Sequence, residues 1–347
     1  MKLLRVAFHS AVLLILTGSG CSLNRMATRA VADALTGSGG SAVFTGDDDP
    51  QLVAEALPFA IKMYEALLDQ APDHQGLILT TGSLFVMYAN AFVQGPAEFL
   101  PVPRYAERLA ARERAKKLYL RGVDILRTGL ERKYPGIGAA GNGEAGGADA
   151  AGGGLAPFLA KMKKADVPLL YWIAAGTLSA FSLDPFDYVL ARRVPECMAY
   201  AGRAYELDPD FNSGALDDFY VLAYSSLPVT MGGAPERVSL HFERSLEKSG
   251  GRLAGPYVSY AQAVAIPAQD YESFRSCLRK ALEIDVNADR GSRLMNILSR
   301  QKAQLLLDQA GEYFFLNEDG ELDTEAYEPI EYNESGYYDI NDGFEDF

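Results

Sequence analysis

The chain has 347 residues and a formal net charge of −14 at pH 7, from 46 acidic and 32 basic side chains. The excess negative charge is local, because residues 303–347 hold fourteen Asp or Glu and no Lys or Arg. The rest of the chain is balanced, which argues against a nucleic-acid-binding surface with its clustered positive charge.

The amino terminus has the features of an export signal. Lys2 and Arg5 precede an apolar run over residues 6–16, and small residues then lead to Ser19-Gly20-Cys21. We predict a lipoprotein signal peptide over residues 1–20, with Cys21 acylated so that the lipid holds the protein at a membrane surface without spanning it. Gly18 stands where most such signals carry an aliphatic residue, so an ordinary cleaved signal followed by a chance cysteine is the alternative.

Three further segments have compositions that are unfavourable for a packed core. Residues 21–49 are predicted to be a flexible tether after the acylated cysteine, and residues 136–154 a low-complexity Gly/Ala loop. Residues 317–347 are predicted to be an acidic, disordered tail, although its interleaved tyrosines could dock onto a partner. Residues 50–316 remain as one folded domain, in which no apolar stretch is expected to be long enough to cross a bilayer.

The folded domain has helical periodicity over most of its length. Apolar residues recur at three- and four-residue spacing and strand signals are few, so the predicted fold class is all-α. One helix is predicted to start at Asp49-Pro50, and others to cover residues 77–92, 103–132, 156–164, 167–183 and 187–207. The spacing Gly136-x-Gly138-x-x-Gly141 matches a dinucleotide-binding fingerprint, but it follows a helix where that fingerprint requires a strand.

Small side chains recur near predicted helix ends. Ala204, Ser245 and Ala281 lie 41 and 36 residues apart, close to the period of about 34 of tetratricopeptide helix pairs. A small residue at such a position lets two antiparallel helices approach closely. Ala66 begins a similar stretch nearer the amino terminus. The pattern predicts tetratricopeptide-like helical hairpins, stacked into a right-handed solenoid or bundle.

Several segments together carry a family resemblance. They are residues 207–216, Met231-Gly232-Gly233, residues 241–246, residues 257–261 and the pair Tyr171-Trp172. In this order, and after the lipoprotein signal, they resemble the T component associated with tripartite ATP-independent periplasmic (TRAP) transporters, the TatT lipoprotein family. The resemblance covers about residues 49–316, whereas the Gly/Ala insert and the acidic tail depart from the family.

The resemblance implies more than the residue pattern does. It implies a lipoprotein of cryptic tetratricopeptide-like hairpins that forms a homotrimer with a ligand-accessible pore in each protomer. It also implies docking with the periplasmic substrate-binding subunit of a TRAP transporter, to pass on a small organic ligand that could be hydrophobic.

Seven residues are candidates for ligand contact. Aromatic stripes usually form core, but hairpin arrays also place aromatic side chains on a concave face, where they bind ligands. A polar amide in an apolar helix must find a partner, which could be backbone or ligand. The glycines after Met231 favour a structural turn first and a pore-lining loop second. The candidates are Asn90, Tyr171, Trp172, Tyr220, Met231, Tyr257 and Tyr260.

Catalytic, metal and cofactor sites are not predicted. The sequence lacks a metalloprotease His-Glu-x-x-His, a nucleophile elbow and a phosphate-binding loop. Cys197 and Cys277 could pair, but we expect two buried cysteines that act as small apolar side chains. His241 is expected to be exposed, and adjacent acids such as Asp217-Asp218 occur in any acidic chain.

Three functional hypotheses follow. The first is a lipid-anchored, periplasm-facing accessory protein of a TRAP-type uptake system that binds a small organic ligand and docks the substrate-binding subunit. The second is a structural adaptor lipoprotein of the cell envelope whose repeats grip peptide segments. The third is a hydrolase with an unrecognised site. The sequence leaves open whether the inner or the outer membrane carries the anchor.

Overall fold

The computed structural model describes residues 26–37, 42–141, 154–317 and 319–323. The predicted signal peptide and Cys21 lie outside the described residues. So do residues 142–153 of the Gly/Ala loop and residues 324–347 of the acidic tail.

The described chain folds into α-helices, which confirms the predicted all-α class. The longer ones are α1 (residues 26–36), α2 (Pro50–Gln70), α3 (Gln75–Tyr88), α4 (Tyr105–Lys133), α5 (Val167–Leu183), α6 (Tyr188–Leu207), α7 (Ala215–Ser226), α8 (Val238–Ser249), α9 (Gly255–Tyr260), α10 (Tyr271–Glu283) and α11 (Arg293–Asp308). Short helical turns cover Ala42–Thr45, Val102–Arg104, Ile137–Gly141, Ala156–Leu159, Lys164–Asp166, Phe211–Ser213, Val229–Met231, Pro235–Arg237, Arg290–Ser292 and Ala310–Glu312.

Two of the helices continue as π-helices, in which each backbone hydrogen bond spans five residues, where an α-helix spans four. Helix α3 is followed by Ala89–Gln94 and a last α-turn at Gly95–Glu98, and α9 is followed by Ala261–Ala265. Within the described residues, β-structure is limited to an isolated bridge between Leu316 and Leu322.

Aspartate caps explain why the helix starts could be read from the sequence. The Asp49 side chain accepts hydrogen bonds from the backbone N–H groups of the first turn of α2, and Pro50 occupies the first helical position. Asp187 caps α6 in the same way. The predicted bounds 167–183 coincide with α5, whereas the predicted helix 156–164 shortens to Ala156–Leu159.

The helices pair into hairpins with an inner and an outer member. The inner helices are α3, α5, α7, α9 and α11, and each contacts the next along this series. The outer helices α4, α6, α8 and α10 each pack between two successive inner helices. The small residues that the repeat pattern singled out, Ala204, Ser245 and Ala281, are buried. The corresponding Ala66 is exposed, so α2 does not follow the pattern.

The two ends of the array meet. Leu294 of α11 is fully buried in the hydrophobic cluster of α2 and α3. Lys302 Nζ of α11 lies 2.9 Å from a carboxylate oxygen of Glu98, and Arg293 donates a hydrogen bond to the Gly46 carbonyl. The inner helices therefore form a closed ring. The sequence prediction of a stacked solenoid or bundle did not include this closure.

Glycines allow a close helix crossing in the first half of the ring. Gly82 of α3 faces Gly122 of α4, and a Cβ atom placed on Gly122 would lie 2.6 Å from the Gly82 carbonyl oxygen. No larger side chain fits at this crossing without displacement of a backbone.

Part of the segment predicted to be a tether is helical. Helix α1 buries Ala32 against α2, and the Tyr64 hydroxyl of α2 donates a hydrogen bond to the Leu35 carbonyl. The expectation of a flexible tether over residues 21–49 therefore does not hold for residues 26–36. Alanines alternate with Val31 and Leu35 there, which gives the segment both helix propensity and an apolar face.

The start of the predicted acidic tail also contacts the fold. The Tyr271 hydroxyl donates a hydrogen bond to the Gly320 carbonyl, and Arg275 pairs with Glu321 at 2.9 Å. The expectation of a disordered tail from residue 317 is therefore incorrect for residues 319–323.

Two inner helical segments, Gln75–Glu98 and Lys164–Leu183, are long and apolar enough to cross a membrane by length and composition. The sequence reading, which expected no such segment, is corrected on this point. Half or more of the apolar window of each is buried inside the fold, as is usual for core helices of an all-α protein.

Candidate ligand-binding surface on the inner helices

Helix α7 separates two environments on its opposite faces. Asp217, Tyr220 and Tyr224 are buried toward the outer helix α8. Asp218, Leu222 and Ser225, spaced by four and three residues, form a half-exposed stripe on the other face. Because α7 is flanked by inner helices α5 and α9, this stripe faces the inside of the ring.

The outward-facing aspartate is completely satisfied. Asp217 accepts hydrogen bonds from Tyr205 Oη at 3.0 Å, His241 Nδ1 at 2.7 Å and Lys248 Nζ at 2.7 Å. Burial alone would raise the pKa of Asp217, but the bonds from His241 and Lys248 outweigh it and hold that pKa below its ordinary value.

His241 is 5% exposed, so the expectation that it is exposed is wrong. It is enclosed by the rings of Tyr205, Tyr220 and Tyr224. An Asp–His pair can serve as a general base, but this one is shielded from any substrate. The Asp217–His241 hydrogen bond and the surrounding tyrosine rings connect α6, α7 and α8 in the interior.

The inward-facing aspartate has the opposite character. Asp218 Oδ2 accepts one long hydrogen bond, 3.3 Å, from Ser259 Oγ of α9. Its Oδ1 is shielded from solvent and has no hydrogen-bond partner. Burial raises the pKa of Asp218 to about 6, and the Ser259 bond offsets this only in part. The carboxyl group therefore has unused acceptor capacity at the inner surface.

Aromatic rings of α5 pack next to the part of α7 that carries Asp218. Tyr171 and Trp172 pack against the same hydrophobic cluster as Leu216, two residues before Asp218. Burial raises the pKa of Tyr171, and the Asp218 carboxylate raises it further. Trp172 meets Tyr171 edge-on at 5.2 Å between ring centroids, and the Phe211 ring centroid lies 5.3 Å from that of Tyr171. All three rings are only half-buried, so they offer apolar surface together with polar edges.

The structure therefore places Tyr171 and Trp172 next to the part of α7 that carries Asp218, which is hydrogen-bonded to Ser259. Asp218 and Ser259 were not among the predicted ligand contacts. A sequence signal for Asp218 exists in retrospect. Adjacent helical residues point about 100° apart, so Asp217 and Asp218 cannot both face the outer helix.

Other predicted residues lie elsewhere. Tyr220 is buried in the His241 cluster and does not reach the inner surface. Tyr260 stacks on Phe242 of α8 at 4.3 Å, and Tyr257 meets the same ring edge-on at 6.0 Å. Both tyrosines are half-buried between α8 and α9, beside the inner surface rather than at Asp218.

The loop after α7 is a tight structural turn. Met231 packs half-buried against the core, and Gly232 has a left-handed backbone with a φ of 99°. A Cβ atom on Gly233 would collide with the Leu227 carbonyl. The structural reading of Met231-Gly232-Gly233 therefore fits this geometry better than the pore-lining one.

Asn90 lies in the π-helical continuation of α3, where its exposed side chain lines a small apolar cavity of about 200 Å³. The cavity lies at the seam of the ring, with Phe99 on one side and Leu298 and Leu305 of α11 on the other. Nearby, the fully buried Tyr119 donates its hydroxyl to Gln94 Oε1 at 2.7 Å.

A larger cavity of about 570 Å³ opens on the outside, between α4 and α6. Two of the cationic side chains that line it are paired, Arg127 with Glu196 at 2.6 Å and Arg193 with Asp124 at 3.9 Å. Tyr200 donates its hydroxyl to the Glu196 carboxylate at 2.7 Å. Charges that are already neutralised leave little affinity for an ionic ligand.

Cys197 and Cys277 are buried and free. Cys197 belongs to the core around α5, α6 and α7, and Cys277 to the core around α9, α10 and α11. The expectation of small apolar side chains is confirmed for both.

Together these features define a closed ring of helical hairpins with an aromatic, acid-bearing inner surface. Residues 46–314 match the family described as the TRAP transporter T-component. The chain is also 33% identical over 308 residues to an uncharacterized protein of Treponema pallidum (strain Nichols), covering 85% of this chain and 94% of the relative.

The chain thus belongs to the TRAP transporter T-component family. Membership assigns it to the accessory components of a TRAP transport system in the bacterial envelope, with a role in transport rather than catalysis.

Proposed function

We propose that this protein is a lipid-anchored, periplasm-facing accessory component that holds a small organic ligand on the inner surface of its helical ring. It presents that ligand to the periplasmic substrate-binding subunit of a TRAP transporter. Acylated Cys21 anchors it to the membrane, and three copies associate as a homotrimer.

The observation that carries the proposal is the inner surface itself. Apolar rings that are left half-exposed cost free energy in water, about 25 cal/mol for each Å² of apolar surface. Tyr171 and Trp172 keep part of their ring surface exposed, and the adjoining helix α7 carries a carboxyl group with an unpartnered oxygen. A concave apolar surface with few polar groups is typical of small-molecule sites.

Identification of the co-purifying proteins distinguishes the ligand-holding proposal from the envelope-adaptor hypothesis. The full-length lipoprotein is recovered from native membranes after mild crosslinking, and the co-purified proteins are identified. Recovery of a TRAP substrate-binding subunit supports the proposal, whereas recovery of outer-membrane assembly factors without that subunit would support the envelope adaptor instead.

Native mass spectrometry of the same preparation tests assembly and ligand together. We expect a trimer mass with one retained small molecule for each protomer. Tyr171→Ala should lose the small molecule, whereas Tyr105→Ala should retain it, because Tyr105 is 57% exposed on the outer helix α4. An empty wild-type trimer from native membranes would contradict the ligand-holding role.

A further inference from the structure

Two adjacent aspartates of α7 differ in how far their charge is compensated. Asp217 has three donors, two of them on the cation-forming side chains His241 and Lys248. Asp218 has a single donor, the neutral Ser259 hydroxyl. Among the described residues, no basic side chain is paired with Asp218.

The elements around Asp218 provide surface but no positive charge. From α5, Tyr171 packs against the same cluster as Leu216 of α7, and from α9 the contact is Ser259. One turn further along α7, Leu222 is 37% exposed and extends the apolar part of the surface. A carboxylate in apolar surroundings without a counter-charge is unfavourable until a cation arrives.

Aromatic rings favour the same kind of partner. The faces of Tyr and Trp rings carry partial negative charge and attract ammonium groups. Tyr171 and Trp172 meet edge to face, with 72° between their ring planes, and both rings remain partly exposed. An apolar chain of a ligand would lie against these rings and Leu222.

We propose that Asp218 is the polar anchor of the inner surface, and that it takes the ammonium group of an organic amine whose apolar part lies against Tyr171 and Trp172. This inference rests on the proposed ligand-holding function and specifies the chemical class of the ligand.

Trp172 makes the inference directly measurable, because it is the only tryptophan of the chain. Its fluorescence reports on the inner surface next to Tyr171. Three probes with the same eight-carbon chain and different head groups are titrated near pH 7.5: n-octylamine, n-octanol and n-octanoate. Calorimetry on the same solutions detects binding that leaves the fluorescence unchanged.

We expect n-octylamine to bind roughly tenfold or more tightly than n-octanol, the effect of one charge-assisted contact. We expect n-octanoate to bind most weakly. Asp218→Asn keeps the shape of the side chain and should remove the preference for the amine. Asp69→Asn removes one charge from an exposed position of α2 and should preserve it, which controls for net charge.

Equal binding of the three probes, or an amine preference that persists in Asp218→Asn, would overturn the role of Asp218. The inner surface would then remain a general apolar site, and the proposed function would stand. If both fluorescence and calorimetry detect no probe binding at all, the amine site is excluded and the ligand-holding function itself is contradicted.

Discussion

Asp217 is the residue whose loss should damage the fold. Asp217→Asn removes the carboxylate that holds His241 and Lys248 together, and breaking one partner of a buried ion pair costs about 3–5 kcal/mol. The low pKa of Asp217 means that its stabilisation is present at neutral pH and is lost as pH falls below about 4. Urea unfolding at pH 7 checks the magnitude, with exposed Asp69→Asn as the control expected to change stability by less than about 0.5 kcal/mol.

Asp218 should behave in the opposite way. Its folded pKa of about 6 lies above the unfolded value, so the folded state binds the extra proton between about pH 4 and 6. The stability that it contributes is therefore present at low pH and is lost as pH rises through 6.

Asp218→Asn should consequently be more stable than the wild type above pH 6, by up to about 3 kcal/mol, since one pKa unit corresponds to about 1.4 kcal/mol. The measurement is the difference between the unfolding free energies of variant and wild type from pH 4 to 8. This difference cancels the contributions of the other carboxylates. A flat difference curve would show that Asp218 titrates as an ordinary surface acid.

At the level of the elements, the α3–α4 crossing depends on two glycines. Gly122→Ala would place a methyl group against the Gly82 carbonyl and the Phe85 side chain. Overpacking of this kind costs about 1–3 kcal/mol. Gly202→Ala is the matched control, because Gly202 also lies within a long helix but has 3.8 Å of clearance to the nearest atom, the Tyr220 hydroxyl oxygen.

Gly202→Ala should raise the free energy of unfolding by about 0.5–1 kcal/mol through helix propensity alone. Chemical denaturation of both variants distinguishes the two effects by sign. A stabilising Gly122→Ala would mean that α3 and α4 can separate at little cost.

The π-helical continuations of α3 and α9 are a second feature at the level of the elements, and their local composition does not predict them. Ala89–Gln94 and Ala261–Ala265 lie on inner helices, α3 and α9, in segments of ordinary helix-forming composition. Such segments often occur at functional sites. Here the first one lines the cavity at the ring seam, where it displays Asn90 to α11.

At the scale of the whole molecule, closure of the ring changes how stability is shared. In an open stack each hairpin depends only on its neighbours, so damage stays local. Leu294 joins the last helix to the first hairpin and is fully buried there. Leu294→Ala should cost about 2–5 kcal/mol.

Amide hydrogen exchange of Leu294→Ala shows which helices the seam supports. We expect faster exchange in α2 and α3 as well as in α11, because the seam supports both ends. Met295→Ala, at a position of α11 that is 37% exposed and does not line the seam cavity, should leave α2 and α3 unchanged. Faster exchange confined to α11 in Leu294→Ala would favour an open stack whose ends touch without support.

Local sequence determined the helices, because caps, prolines and apolar spacing act over a few residues. Asp49-Pro50 and Asp187 set helix starts that the structure confirms, and the all-α class follows from periodicity alone. The family resemblance was likewise carried by short segments, and the match over residues 46–314 confirms it.

Tertiary structure decided everything that depends on which helix meets which. The repeat pattern located small residues at hairpin contacts, but it gave no sign that Leu294 closes the array or that α1 packs on α2. The same limit applies to the inner surface. Neighbours from α5, α6, α8 and α9 determine that Asp217 is satisfied while one oxygen of Asp218 is left without a partner. A side chain's solvation depends on distant segments that a local pattern does not encode.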